Sequence, residues 1–155
     1  MAESDLRPEV SVGHRDGDHV SIRVLGRVHA GADDFWDGNW LMTPVEVVIG
    51  GFRGDVGASL RAEELQGFRE ALERIYGSLQ GDAVLRSMEG WLLLRVTPDR
   101  SGKLMVAGQV TDRPGSGNEL SFKINGLDQS YLPEIIEALA EAEVFFPVVG
   151  RVSPG

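Results

Sequence analysis

Asp33, Asp34 and Asp37 lie close together in the stretch Asp33-Asp34-Phe35-Trp36-Asp37-Gly38-Asn39-Trp40. Several carboxylates within one turn of chain are what a hard divalent cation needs, because such ions are held by multiple oxygen ligands. His29 stands just upstream and would extend the set. A metal held here would make the chain a small metal-dependent enzyme. The spacing fits no EF-hand loop, however, and no second ligand cluster is fixed elsewhere, so no metal and no cofactor is expected. Asp, Gly and Asn are also turn formers, and they serve a plain solvated loop equally well. The aromatic residues open a third reading. Phe35 and Trp36 sit among the acids, and aromatic side chains are enriched where proteins bind one another. Trp40, at the start of an apolar run, reads as core. No Lys or Arg occurs between Arg27 and Arg53, so this charge has no compensation nearby in sequence.

Two other groupings invite the same question. His14-Arg15-Asp16-Gly17-Asp18-His19 resembles a ligand cluster on paper, but its two histidines flank a Gly-containing turn and no partner set completes it. Glu134, Glu137 and Glu141 recur at three and four residues, which lines them along one side of a helix. From Asp128 to Glu143 there are five acidic residues and no basic one. That stripe is either a solvated surface or a docking surface for a basic partner.

Nucleophilic catalysis has little to work with. The serines lie in no Gly-x-Ser-x-Gly elbow. The histidines all precede residue 30, so none stands downstream to act as a base. Gly115-Ser116-Gly117 lacks the lysine of a phosphate loop. There are no cysteines, which removes disulfides, thiolate ligands and thiol nucleophiles.

The chain has 155 residues with 15 basic and 24 acidic side chains, a net charge of −9. Thirteen of the basic residues are arginines; Lys103 and Lys123 are the lysines. Such a chain repels phosphate backbones and anionic membranes and attracts basic proteins. No nucleic-acid or membrane partner is therefore expected. The N-terminus lacks a basic region followed by an apolar one, and no apolar run reaches membrane-spanning length, which fits a cytoplasmic location.

The elements that must position these residues follow from periodicity. Val20, Ile22 and Val24 alternate with polar residues, as do Val45, Val47 and Ile49, and these are strands. Trp40–Ile49 reads as one strand, with Pro44 marking an edge, a bulge or a start. Gly50-Gly51 is a turn leading to a partner strand through Phe52, Gly54 and Val56. The period then changes: Leu65, Phe68, Leu72, Ile75 and Leu79 predict a helix over 62–79. Strands follow at 83–87, 91–97, 104–110 and 120–124. A second helix runs over 130–145, opened by Asp128 or Ser130 as N-cap. Short hairpin connections predict an α+β single domain: a mostly antiparallel sheet of six or more strands with two packed helices. A loose segment over 1–17 and an irregular tail over 148–155 flank a domain over 18–147. Leu65, Phe68, Leu72, Trp91, Leu93, Val106, Phe122, Ile135 and Leu139 are its expected core.

Asp37-Gly38-Asn39-Trp40-Leu41, the alternating valines, Phe52-Arg53-Gly54 and the helix opening Glu63-Glu64-Leu65 resemble the WapI family of bacterial immunity proteins. The blocks Glu119-Leu120-Ser121-Phe122 and Asp128-Gln129-Ser130-Tyr131-Leu132 are similar to related small bacterial proteins. The resemblance spans about residues 20–147. It implies a small cytoplasmic, non-enzymatic protein that neutralises a cognate toxin domain, and it brings no catalytic residues with it. On that reading Asp33, Asp34, Phe35, Trp36, Asp37, Glu134, Glu137 and Glu141 are the candidate partner-binding residues, facing a basic toxin. The rival classes are the metal-dependent enzyme on Asp33, Asp34 and Asp37, and a homo-oligomeric structural module.

Overall fold

The computed structural model describes residues 7–115 and 117–152. The segment expected over 1–17, the tail over 148–155 and the loop containing Ser116 each lie partly outside the described residues. Alternation of valines and isoleucine makes a hairpin of β1 (Glu9–Gly13) and β2 (His19–Arg23), with Val10, Val12, Val20 and Ile22 turned inward. β2 also pairs with β5 (Val45–Ile49), which turns at Gly50-Gly51 into β6 (Phe52–Val56). Gly50 has φ +55°, a conformation costly to other residues, which is why the turn falls there. These strands form one sheet in the order β1-β2-β5-β6.

Between β2 and β5 the chain makes a short ribbon of β3 (Gly26–Arg27) and β4 (Leu41–Met42), with the single-turn helix α1 (Phe35–Gly38) between them. The stretch read as one strand over Trp40–Ile49 is therefore two strands in different sheets. Pro44 has no N–H to donate, and the chain passes through Thr43 and Pro44 to change sheets. Thr43 compensates: its N–H donates to the Ala58 carbonyl (3.0 Å) and its hydroxyl receives the Leu60 N–H (2.8 Å).

α2 (Ala62–Ser78) leads into β7 (Ala83–Arg86), β8 (Leu92–Pro98), β9 (Lys103–Thr111) and β10 (Glu119–Asp128), a second sheet in the order β10-β9-β8-β7. Gly108 on β9 is required: a Cβ there would sit 2.3 Å from the Phe122 ring, which lies across it. A 3-10 turn at Gln129–Tyr131, its Ser130 N–H donating to the Asp128 carboxylate, opens α3 (Leu132–Phe145). All pairings are antiparallel, and the two long helices lie on each other, α2 beside β7 and α3 beside β1. This is the α+β single domain that the periodicity predicts.

One core unites both sheets and both helices. Leu65, Phe68, Leu72, Val106, Phe122, Ile135 and Leu139 are buried in it. Burying each such side chain contributes roughly 1.5–3 kcal/mol. Trp91 and Leu93 depart from expectation and are only partly buried. Inside β8 the buried positions are Leu92, Leu94 and Val96, so period two puts Leu93 on the opposite side. A continuous apolar run conceals its own phase, and that is why the sequence misplaced it.

Candidate functional site

The acidic aromatic segment is an ordered structure. Asp34 has extended backbone and caps α1, its carboxylate accepting the Asp37 N–H at 3.0 Å. The helix is one turn long, too short to persist through its own hydrogen bonds. What holds it is three side chains, one just before α2, one directly after α1 and one on β3.

The first is Arg61, fully buried immediately before α2. Its guanidinium donates to the carbonyls of Phe35 (2.6 Å) and Trp36 (2.8 Å), and its Nε donates to Glu63 Oε2 at 2.5 Å. Three aromatic rings surround it, Trp40 at 4.6 Å, Phe35 at 5.2 Å and Trp36 at 5.5 Å from ring centroid to Cζ. A planar cation with several donors suits this role, because it bonds carbonyls at its edge while its π-face meets the rings. The second is Asn39, also buried. Its Nδ2 donates to the carbonyls of Phe35 and Val149, both 2.9 Å, and its Oδ1 accepts the Val149 N–H at 2.9 Å. The third is Arg27, which donates to the carbonyls of Gly38 and Pro147, both at 2.6 Å. Residues after α3 thus fold back and close over the segment. The approach is tight: a Cβ on Gly38 would lie 2.6 Å from Val149 Cγ2, and one on Gly150 would lie 2.3 Å from the Phe35 nitrogen.

The consequence is a split of roles inside a short stretch. Gly38 and Asn39 are buried, Phe35 and Trp40 are half-buried, and Asp33, Asp34, Trp36 and Asp37 face solvent, Trp36 with 54% of its surface exposed. Among the described residues none of the three aspartates joins an ion pair. The cations that the sequence lacks locally arrive through space, and they bind backbone carbonyls instead of the carboxylates. Among the described residues no three His, Asp or Glu side chains converge as a metal cluster would.

The neighbouring Glu64 anchors the base of the site. Its carboxylate accepts the N–H of Arg61 (2.8 Å) and of Met88 (2.7 Å), tying the start of α2 to the turn after β7. Burial pushes this carboxyl above its ordinary value, against the lowering effect of those two N–H groups.

The motif Asp37-Gly38-Asn39-Trp40-Leu41 now has a physical meaning: Gly38 gives clearance, Asn39 clasps the tail, and Trp40 stacks on Arg61. A family model described as the immunity protein WapI-like family matches residues 11–147. The chain belongs to that family. No curated protein matches it.

Elsewhere in this WapI-like chain the other candidates are placed as follows. Glu134, Glu137 and Glu141 are exposed along the outer side of α3, with Arg15 lying 3.8 Å from Glu134. Glu143 is engaged by Arg69 (2.8 Å) and Gln66 (3.1 Å) of α2 and belongs to the helix–helix contact. His14 and His19 do not converge: His14 lies against Tyr131 with its Nε2 2.7 Å from the Asn125 carbonyl, and His19 bonds the Gly17 carbonyl and approaches Glu46. Sequence reasoning missed Arg61, Arg27 and the clasp of Asn39. One signal was available for Arg61, since a cation at a helix N-terminus opposes the helix dipole and so suggests another duty.

Proposed function

We propose that this chain is a cytoplasmic, non-enzymatic immunity protein that neutralises a cognate toxin by covering its active surface. Membership of the WapI-like family carries the reading. The geometry that supports it is the preformed segment Asp33–Asp37, where three carboxylates that form no ion pair among the described residues surround an outward tryptophan on a fixed backbone. A rigid aromatic anchor ringed by charge binds well because little ordering entropy is lost on association. The uncompensated acid selects a basic partner and steers its approach. Asp33, Asp34, Phe35, Trp36 and Asp37 form the primary contact, and the α3 stripe Glu134, Glu137 and Glu141 adds long-range attraction. Asp34 also caps the turn, so its carboxylate serves the shape of the segment as well as its charge.

The test is co-expression with the product of the adjacent gene, which this reading expects to be a toxin domain. Growth should be restored, and the two chains should co-purify as a complex that weakens with salt. Continued killing with the chain present and folded would overturn the reading. So would rescue without a complex, which would indicate chemistry on the toxin or its target.

A further inference from the structure

β6 is an open sheet edge: β5 is its strand neighbour, and among the described residues it has no other. The outer strands of the two four-stranded sheets differ from it. α3 packs beside β1, α2 beside β7, and β10 is interrupted by an irregularity between Ile124 and Leu127. β6 carries no proline, lysine or bulge, and the two charges by which it would discourage pairing, Arg53 and Asp55, are of opposite sign. Its register with β5 is continuous from Ile49 opposite Phe52 to Val45 opposite Val56. Across a two-residue turn the flanking pair is hydrogen-bonded, and bonded pairs alternate from there. The N–H and C=O groups of Phe52, Gly54 and Val56 therefore point to β5, and those of Arg53 and Asp55 point away.

We propose that β6 pairs antiparallel with β6 of a second copy of this chain, about a two-fold axis at Gly54. That register places Arg53 opposite Asp55 of the second copy, twice by symmetry. These are the residues whose backbone groups face outward, so each pair gains main-chain hydrogen bonds. Arg53 already meets Glu46 (2.6 Å) and Asp55 (3.4 Å) of its own chain, and the pairing adds the second copy's carboxylate to each guanidinium. The neighbouring registers that also match outward groups bring Arg53 to Arg53 or Asp55 to Asp55. Directly opposed like charges are destabilising, so charge selects the single self-complementary register. It also accounts for Phe52, which is 68% exposed at the end of the strand. On the opposite side of β6 from Arg53 and Asp55, Phe52 of one copy meets Val56 of the other. A cleft of about 260 Å³ borders the strand, lined by all five residues of β6 and, from the second sheet, by Val110, Leu120 and their neighbours. The segment Asp33–Asp37 is not part of this contact, so pairing and toxin binding are separable.

Sedimentation of the intact chain from about 1 μM to about 1 mM covers the range expected of a small interface. Wild type should pass from monomer to dimer. Arg53→Asp and Asp55→Arg should each raise the dimer dissociation constant at least about tenfold, by turning attraction into repulsion in two symmetric pairs. The double variant should recover dimerisation. Glu46 lies opposite position 55, so its charge meets the new arginine. Phe52→Ser should weaken the dimer independently of charge, and it serves if either reversal fails to fold by circular dichroism. A wild type that stays monomeric throughout overturns the proposal. A dimer indifferent to all of these variants, or single reversals that the double variant does not repair, overturn it equally.

Discussion

The segment Asp33–Asp37 and the outer side of α3 carry similar charge and differ in almost everything else. Each presents three exposed carboxylates. On α3 the backbone is satisfied by its own helix, and the acids are passengers on a surface that would exist without them. At Asp33–Asp37 the backbone has one helical turn of its own, and its carbonyls are bound by Arg61, Asn39 and Arg27. The molecule commits a fully buried arginine and its C-terminal residues to hold five residues in one shape. Charge alone makes a region attractive to a cation; on the proposed reading, a fixed backbone is what turns that attraction into recognition. This difference predicts a graded set of mutational effects.

The largest belongs to Arg61. Removing one partner of a buried ion pair costs about 3–5 kcal/mol, because the other charge is left without compensation. Arg61→Ala should cost about that much, measured by urea unfolding, since Glu63 loses its partner, the Trp36 carbonyl loses its side-chain donor and the Phe35 carbonyl keeps only that of Asn39. A change below about 1 kcal/mol would mean that the segment holds its shape without Arg61, and the contrast with α3 would collapse.

Trp36 tests the outward side of the same structure. Its ring meets Arg61 at 5.5 Å and Phe35 at 5.1 Å, contacts worth about 1 kcal/mol or less at a half-exposed site. Trp36→Ala should leave unfolding nearly unchanged while weakening toxin binding by about 2 kcal/mol or more, chiefly through faster dissociation. Equal losses in both measurements would make Trp36 a structural residue.

Much of this molecule was legible before its coordinates. α2 follows from Leu65, Phe68, Leu72 and Ile75, and the hairpins follow from alternation and from Gly50-Gly51, because each signal is local. The acids and aromatic residues of the candidate site were also plain. Its scaffold was not, because the partners lie far apart: Asn39 and Val149 are separated by 110 residues, and Arg61 is 26 residues from Phe35. Those bonds end on backbone carbonyls, which any residue supplies, so no side-chain pattern announces them. The phase of β8 was hidden for a different reason. Its run of apolar residues offers two equivalent faces, and only packing decides between Leu93 and Leu94.

Asp34 sharpens the comparison at a smaller scale, by separating charge from cap. Loss of an N-cap side chain costs about 1 kcal/mol, whereas asparagine caps about as well as aspartate. Asp34→Ala should lower stability by about that amount, and Asp34→Asn should hardly alter it. If the two variants unfold alike, the 3.0 Å bond to the Asp37 N–H contributes nothing in solution.

The smallest effect is expected on α3, with the opposite sign. Glu134 and Glu137 are three residues apart, Glu137 and Glu141 four, and like charges at those spacings repel by about 0.2–0.5 kcal/mol per pair. Glu137→Lys turns both repulsions into attractions along the exposed side of α3. The variant should therefore be more stable by roughly 0.5–1 kcal/mol. Toxin binding should respond in rate and hardly in lifetime: association slows modestly, its salt dependence flattens, and dissociation is unchanged, as for a charge that steers without touching. Asp37→Lys, on the fixed segment, should slow association more and also speed dissociation. If Glu137→Lys proves the more damaging of the two, α3 is the contact surface and the clamped segment serves only the fold.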